Sequence, residues 1–427
     1  MLNRIKTILN SKKNISAWII SESKSSSAEL FFVKDCLDMN RATDVHEYAL
    51  KLFVDFTEEN VKYRGDASVL ISPADSDTEL EQKIERAAFS AGFVKNKWYP
   101  LPKNENKKPI SVKKYNNIED LKNNYSKIQN ILFKEYPYKS KINSCELFAI
   151  EQTKRTVTSE GIDISYPFSE FTFEIVSDNN YGKEPVEIFN DYYLPNIDLE
   201  RLESIVQKQL AETDGRSQAV DCKKLENIRV LLSGDAVEEL LFFYLSQATD
   251  KMIYMNISKV KQGEQFVNNK LNITLDPALP SSLYAKPVDS EGKILEKYSL
   301  FENGKAVNLR TSSQFSHYLN LENKGQISTF VVDGGDKTYD ELTSGDYIEI
   351  LTFSSFLMDS TTGDFGGEFR LAKLVQNGKE SYVSGGALSE NIFKLQDKMM
   401  LSKELEKRTY SVSPKAIAFD NVCIAAK

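Results

Sequence analysis

Alternation of apolar and polar residues is the clearest pattern in the first seventy residues. Within Glu47–Phe56 the apolar side chains recur at every second position, as Tyr48, Leu50, Leu52, Val54 and Phe56. A period of two places them on one face of a strand, so this stretch is predicted to lie half-buried in an antiparallel sheet. Three more strands are predicted at Ile15–Ser21, Ala28–Lys34 and Ala67–Ser72, with a turn at Lys24–Ser27.

The pattern that follows has the spacing of a helix. Its apolar residues recur every three or four positions, as Leu80, Ile84, Ala87, Ala88 and Ala91. Ser76 and Glu79 fit a capping box at the start of this helix, and Gly92 fits its end. The charged, proline-flanked segment Pro100–Pro109 is predicted to be a linker.

A similar order of elements then recurs. Ser144–Glu151 (SCELFAIE) is close to Ser27–Lys34 (SAELFFVK), and it lies among a helix, an alternating strand and a second helix at Ile118–Phe133, Glu170–Val176 and Asp198–Ala211. The shared order predicts an internal duplication of two α+β units, residues 1–105 and 110–214, ending at Glu212–Arg216. Two unrelated α+β modules are the alternative.

The last part of the chain, residues 220–427, consists mainly of strand and turn patterns. Asn303-Gly304 and Asn377-Gly378 each lie between apolar runs, which predicts two hairpins. Further elements are predicted as a strand at Tyr347–Phe353, a helix at Leu388–Leu401 and a final strand at Ala416–Cys423. The fold class is therefore α+β, with a duplicated helix and antiparallel-sheet region followed by a mostly β domain with a large curved sheet or open barrel.

Charge and composition restrict the possible partners and the cellular compartment of the protein. The 427 residues carry a net charge of −8, which disfavours nucleic acid as a partner because an acidic chain releases no counterions from phosphates. Four scattered cysteines without a C-x-x-C pair are typical of free thiols in a reducing compartment. The longest apolar run, Leu240–Leu245, is too short to span a bilayer. We expect a cytoplasmic protein that does not enter membranes.

The most apolar stretch, Ile228–Leu245, predicts a buried strand, a break at Ser233–Asp235 and a helix buried on most sides. Asp235 and Glu238 fit a second capping box. From the residues alone, a core strand–turn–helix is the favoured interpretation. The chain has two histidines, His46 and His317, whose spacing does not suggest a metal site.

The same stretch resembles the strand-to-helix segment of the TldD/PmbA family, the so-called modulators of DNA gyrase. In the TldD branch this helix begins with the zinc-binding motif HExxxH. Aligned on the shared Ala-Val, Gly234 stands at the first histidine, Asp235 at the catalytic glutamate and Glu239 at the second histidine. The late cysteine ligand of that branch has no counterpart in Leu401–Ser413, and Cys423 aligns with a non-ligand position. The chain thus resembles the metal-free TldE (PmbA) branch.

Later segments extend the resemblance. Val288–Gly292 resembles the family's D-x-E-G segment and Gly363–Phe365 its GDF segment, which makes Asp289, Glu291, Gly363, Asp364 and Phe365 candidates for a peptide cleft. The resemblance implies a subunit without its own cofactor. It would shape the cleft of a peptidase for unfolded or extended peptides, while a TldD-like paralogue supplies the zinc; a homodimer is the other possible assembly.

Two alternatives remain open. In an autonomous hydrolase, Asp235 and Glu239, four residues apart on one helix face, would bind a hard cation together with Asp289 or Asp364. The structural interpretation of the pair is a cap and a solvated or salt-bridged carboxylate. The third hypothesis is a non-enzymatic regulator that binds proteins, such as a gyrase modulator.

Overall fold

The first half of the chain contains two units with the same order of helix, three strands and helix. The computed structural model describes residues 1–182, 185–267 and 270–426. The first unit comprises α1 (Leu2–Ser11), β1 (Ala17–Val33), β2 (Cys36–Glu58), β3 (Val61–Ile71) and α2 (Asp77–Ala91). The second comprises α3 (Asn117–Phe133), β4 (Lys141–Thr158), β5 (Asp163–Asn179), β6 (Val186–Leu194) and α4 (Leu199–Gln218).

The six strands form one curved half-barrel sheet in the order β3-β2-β1-β4-β5-β6, with every pair antiparallel. The units meet at β1 and β4, where Leu30 faces Leu147 and Ala28 faces Ala149. The two similar octapeptides of the sequence therefore pair with each other across the middle of the sheet. The duplicated helix and antiparallel-sheet region of the predicted fold class is confirmed, while the unit bounds 1–105 and 110–214 stay a prediction.

All four helices pack on one face of this sheet. Side chains of α1 and α2 share a buried cluster with β1–β3, and those of α3 and α4 share another with β4–β6. The capping box at the start of α2 is confirmed, with both bonds between Ser76 and Glu79 present. The opposite face of the sheet carries a smaller buried cluster that includes Ile19 and Phe53, together with partly buried polar residues such as Glu146 and Glu174.

One local prediction in this half is wrong. Lys24–Ser27 is no turn, because β1 continues through it and pairs with neighbours on both edges. Contacts with the two neighbouring strands thus extend β1 past residues that favour turns. Residues Glu212–Arg216 lie inside α4, and the domain boundary proposed there stays a prediction.

The second half begins with β7 (Val220–Asp221), β8 (Leu225–Ser233), α5 (Asp235–Gln247), α6 (Asp250–Tyr254), β9 (Ile273–Leu275), β10 (Tyr298–Glu302), β11 (Lys305–Ala306), α7 (Ser313–Leu319), β12 (Phe330–Val332) and α8 (Tyr339–Leu342). It continues with β13 (Tyr347–Phe353), β14 (Leu357–Met358), β15 (Asp364–Gln376), β16 (Lys379–Ser384), β17 (Ala387–Asn391), α9 (Ile392–Leu395), β18 (Met400–Leu401), β19 (Leu405–Lys407), β20 (Ser411–Pro414) and β21 (Ala416–Ala425). Strands predominate, as the strand and turn patterns of this half predict.

Five of these strands close into a barrel in the order β13-β8-β21-β17-β15, because β15 also pairs with β13. A second, six-stranded sheet has the order β11-β10-β9-β12-β20-β19. Helix α5 contributes its apolar side chains, including Leu240 and Phe243, to the largest core cluster. The fold class is confirmed as α+β with a mostly β second half, and the barrel is closed rather than open.

The hairpin predictions at Asn303-Gly304 and Asn377-Gly378 are confirmed, since all four residues have positive φ and join β10 to β11 and β15 to β16. The predicted helix at Leu388–Leu401 is wrong. That stretch holds β17, the single turn α9, the 3-10 helix Gln396–Lys398 and β18, and its start is extended because Leu388 pairs with Ile424 of β21. Among the described helices, none has the length and hydropathy needed to cross a bilayer.

Candidate functional site

The candidate site lies where barrel strand β8 ends and helix α5 begins. Gly234 joins the two with φ of 63° and ψ of −141°, a conformation that only glycine adopts readily. A Cβ built on Gly234 would have no atom within 4 Å, so conformation rather than space favours glycine here. This sharp connection presents Asp235, the first residue of α5, at the junction with the N-terminal sheet.

The predicted capping box at Asp235 and Glu238 is absent. Gly234 precedes the helix and makes no side-chain cap. Glu238 is buried and accepts instead from the Tyr410 backbone N–H at 2.9 Å and from the Ser411 hydroxyl at 2.7 Å. Burial raises the pKa of Glu238, and these two donors oppose that effect. Glu238 therefore ties α5 to β20 rather than closing its own helix turn.

Arg408, between β19 and β20, forms hydrogen bonds to the backbone on both sides of this junction. Its Nε donates to the Gly234 carbonyl oxygen at 2.9 Å, and its Nη2 donates to the Lys415 carbonyl oxygen at 3.1 Å. The side chain is buried and forms an ion pair with Glu406 at 2.9 Å. Burial lowers the pKa of Arg408, while Glu406 and Glu238 raise it. No sequence pattern pointed to Arg408, since its bond to Gly234 joins residues 174 positions apart in the chain.

Asp235 and Glu239 both point to solvent from the start of α5. Desolvation by the surrounding protein raises the pKa of Asp235, while Lys208 and Arg408 lower it. Desolvation also raises the pKa of Glu239, and the charges of Asp235 and Glu238 raise it further. Glu239 forms no ion pair with any described residue. Asp235 and Glu239 are thus two exposed carboxylates whose pKa values the surrounding protein raises.

Helix α4 of the second unit forms a wall beside this pair. Glu212 is 8% exposed, and burial raises its pKa to about 7, opposed by Lys208 and reinforced by Glu349 and Asp235. From the same helix, Arg201 Nη2 donates to the Lys407 carbonyl oxygen at 3.0 Å. Helix α4 and the C-terminal domain therefore meet at this site.

An open groove of about 380 Å³ runs along the same junction. Its walls come from the end of β6, the start of α4, the segment after β9 and the strands β19 and β20, and include Leu194, Arg201, Leu279, Lys407 and Val412. The groove combines apolar and polar side chains, a composition suited to peptide.

Asp289 and Glu291, two predicted cleft residues, lie together in one turn. Asp289 is 2% exposed and accepts three backbone N–H groups, from Glu291, Lys293 and Gln326. Glu291 accepts from the Ser313 N–H at 2.8 Å, at the start of α7. Both carboxylates therefore organise local backbone, and their place in a peptide cleft stays a prediction.

Gly363, Asp364 and Phe365 lie elsewhere, at the start of β15. Phe365 is buried in the main core, with its ring 5.6 Å from that of Phe419. Asp364 is exposed and accepts from Asn391 Nδ2 at 2.7 Å. Gly363 has φ of 79°, and a Cβ there would lie 2.5 Å from Phe393. Their place in a cleft is likewise still a prediction.

The residues at the start of α5 do not fit a zinc ion. Gly234 offers no side-chain ligand, and the Arg408 guanidinium stands against its carbonyl oxygen. The histidines are elsewhere: His46 bonds Glu22 at 2.9 Å, and His317 packs 5.8 Å from Trp98. Across the described ranges, His, Cys, Asp and Glu side chains form no group of three placed to bind a metal.

Residues 226–426 match the family model of the PmbA/TldA metallopeptidase C-terminal domain. A search of curated proteins finds no match. Three solved structures share the fold over nearly the whole of both chains. TldE from Thermococcus kodakarensis is 17% identical, with a TM-score of 0.77 over 99% of this chain and 100% of that one.

Two further structures are each described as a "putative modulator" of DNA gyrase. The one from Thermotoga maritima is 15% identical, with a TM-score of 0.76 over 100% of both chains. The one from Bacteroides thetaiotaomicron is 16% identical, with a TM-score of 0.80 over 100% of this chain and 99% of that one. At these identities the likeness shows a common fold.

Proposed function

Because residues 226–426 carry the C-terminal domain of the PmbA/TldD family, on a chain with the fold of TldE, we propose that this protein is the TldE-like subunit of a TldD/TldE-type zinc metallopeptidase. Its substrates would be unfolded or extended peptides, and it would help to shape the peptide cleft. A TldD-like paralogue would supply the zinc. The proposal places the complex in the cytoplasm, where the four free cysteines would stay reduced.

The observation that carries the proposal is the pairing of Gly234 with Arg408. At the helix start where the resemblance implies a metal ligand, this chain has a residue without a side chain. The buried guanidinium of Arg408 lies beside Gly234 and donates to its carbonyl oxygen. Gly234 thus offers no side-chain ligand and its carbonyl oxygen already accepts from Arg408, which supports a structural role for this subunit rather than a metal centre.

Peptide capture is supported by strands with an open edge. β6 and β19 are the last strands of their sheets, and both border the groove described above. An extended peptide can bond to such an edge through its main chain, largely independent of sequence. Tyr193 and Phe189 are exposed on β6 and offer apolar contacts to such a peptide.

The test combines metal analysis with peptide cleavage. The tag-free chain is analysed for zinc, then assayed on an unfolded protein alone and with a TldD-like paralogue. We expect no stoichiometric zinc and cleavage only in the mixture. Cleavage by the chain alone, or stoichiometric zinc bound to it, would overturn the proposal.

An autonomous carboxylate hydrolase is the second candidate, because Asp235, Glu239 and Glu212 have raised pKa values at one junction. The double variant Asp235→Asn/Glu239→Gln separates the two functions. A metal-dependent activity of the chain alone that this variant loses, with its fold retained, would establish the hydrolase. Unchanged cleavage by the variant in the mixture would support the accessory subunit.

A further inference from the structure

The half-barrel sheet has two outer strands, and one of them is covered. β3 ends the sheet on one side, where Arg64 N–H donates to the Asn96 carbonyl oxygen at 2.8 Å. Trp98 N–H donates to the Lys62 carbonyl oxygen at 3.1 Å, so the segment after α2 lies along this edge. β6 takes the same place in the second unit, and no bridge or backbone hydrogen bond from a described residue reaches it from outside the sheet. The outer edge of β6 is therefore open to an added strand.

β6 also lacks the features that usually protect an edge strand. It has nine residues, pairs with β5 without a bulge, and contains neither proline nor lysine. Side chains of described residues reach one carbonyl oxygen of β6, that of Ile188, which accepts from buried Gln209 and from Ser177 of β5. In the other sheet, the Lys407 carbonyl oxygen on the edge strand β19 already accepts from Arg201. β6 is thus the edge better placed to receive an extended peptide.

The helix-free face of β6 alternates between carboxylates and aromatic rings. Every second position carries an exposed side chain on this face: Glu187, Phe189, Asp191 and Tyr193. The residues between them are buried or partly buried, and Tyr192 and Leu194 pack in the cluster with α3 and α4. Because neighbouring strands place their side chains directly opposite one another, an added strand would meet a carboxylate and a ring in turn.

Negative charge continues from β6 into the sheet. Asp191 stands opposite Glu174 of β5, and Glu174 stands opposite Glu146 of β4. Burial and the charges of both neighbours raise the pKa of Glu174, and no cation in the described part of the chain offsets them. Like charges in such positions repel, so a basic side chain placed next to Asp191 would relieve the repulsion. The charge of this face therefore complements a basic strand.

We propose that the outer edge of β6 binds extended peptides in which basic and apolar side chains alternate at every second residue. The basic side chains would lie opposite Glu187 and Asp191, and the apolar ones opposite Phe189 and Tyr193. Main-chain hydrogen bonds to β6 would hold the peptide, while these side chains select it. The inference rests on the proposed capture of extended peptides, and it narrows that capture to one edge and one class of sequence.

The first experiment measures fluorescence anisotropy of labelled peptides with the tag-free full chain, without zinc or a paralogue. The peptide KTLTKTLTK is compared with its acidic counterpart ETLTETLTE and with KKKTTTTLL, which has the same composition and charge without the alternation. We expect the alternating basic peptide to bind about tenfold more tightly than either of the others, and added salt to weaken it. Equal affinities for the three peptides overturn the proposal.

A second measurement tests the strand edge. Two versions of KTLTKTLTK are methylated on alternate backbone nitrogens, in opposite phase. Only every second N–H of an added strand faces its neighbour, so one version should lose binding and the other should keep it. Equal binding by both versions would show that the peptide does not pair with an edge, which contradicts the proposal.

Variants test the residues. Asp191→Asn and Glu174→Gln should each weaken binding of KTLTKTLTK several-fold, although the second change relieves a repulsion in the free chain. Glu47→Gln, the same change on β2 of the same sheet, should leave binding unaltered. Unchanged affinity of both site variants overturns the assignment.

These assays need neither zinc nor cleavage, so the two proposals can fail separately. Cleavage by the mixture with a TldD-like paralogue, combined with equal binding of the three peptides, would overturn this inference and leave the peptidase subunit standing. Selective binding without cleavage by the mixture would overturn the peptidase subunit and leave the peptide edge standing.

Discussion

Arg408 Nε lies 2.9 Å from the carbonyl oxygen of Gly234, and this bond joins the segment before β20 to the first turn of α5. The two residues are 174 positions apart in the chain. The same guanidinium reaches Ser413 Oγ at 3.3 Å and the Lys415 carbonyl oxygen. One buried cation thus fixes the backbone around the candidate site.

Replacing Arg408 with methionine should lower the free energy of unfolding by about 3 kcal/mol, because buried acceptors lose their donor. Urea denaturation measures this. The matched control is Arg4→Met, whose ion pair with Asp77 is exposed and should contribute less than about 1 kcal/mol. Equal losses for the two variants would contradict a structural role for Arg408.

Gly234→Ala should destabilise the fold by about 1–3 kcal/mol, although the new methyl group meets no neighbour. The cost comes from φ of 63° with ψ of −141°, which L-residues avoid. Gly92→Ala is the control, because Gly92 has helical φ of −63° and should change stability by less than about 1 kcal/mol. Chemical denaturation of both variants measures the two changes in unfolding free energy. An unchanged unfolding free energy for Gly234→Ala would show that the backbone at this position adjusts without cost.

Glu212 should make stability depend on pH. Its pKa of about 7 in the folded chain lies above the ordinary value of 4.5, so the folded state holds the proton more tightly. The stabilising contribution is complete below pH 4.5 and is lost as the pH rises through about 7. Over that range the loss would reach about 3 kcal/mol.

Glu212→Gln should flatten the decline in unfolding free energy between pH 5 and pH 8, measured by urea titrations at several pH values. Glu200→Gln, an exposed change near the start of the same helix, should keep the decline of the native chain. Identical pH profiles for the native chain and Glu212→Gln would rule out Glu212 as the group responsible.

Glu174→Gln should stabilise the protein at pH 7. Glu174 stands directly opposite Glu146 on β4 and Asp191 on β6, and like charges in such positions repel. Burial raises the pKa of Glu174, and both neighbours raise it further. We expect a gain of about 0.5 kcal/mol at pH 7, which shrinks at pH 4 as the carboxylates become protonated.

The control for this prediction is Glu47→Gln on β2, where the residue opposite is Ser23. That variant should change stability little at either pH. A destabilised Glu174→Gln would mean that the carboxylate has a favourable partner that outweighs the repulsion.

The elements predicted correctly depend on neighbours in the sequence. The Ser76–Glu79 capping box and the Asn-Gly hairpins form from residues within a few positions of one another, so their energetics are local. The strand Tyr347–Phe353 is also observed with the predicted bounds. The capping box predicted at Asp235 does not form, because Glu238 accepts hydrogen bonds from Tyr410 and Ser411, more than 170 residues away. Such distant contacts cannot be predicted from local sequence.

The candidate site was only partly accessible from the sequence. The resemblance pointed to Gly234, Asp235 and Glu239, and the structure places all three at the start of α5. Arg408 and Glu212 were missed, because no spacing pattern connects them to α5. Asp289 and Phe365, which the resemblance grouped as cleft residues, lie in different surroundings.

The sequence by itself determined the alternation of the strands, the capped and apolar helices, the duplication and the absence of histidine from α5. Those features follow from local hydrogen bonding and from burying one face of each element. Only the tertiary structure decided that β1 runs on through Lys24–Ser27, that the C-terminal strands close into a barrel, and which charges face Asp235. Each of these depends on contacts between residues far apart in the chain, whose free energy becomes available only when the whole fold has assembled.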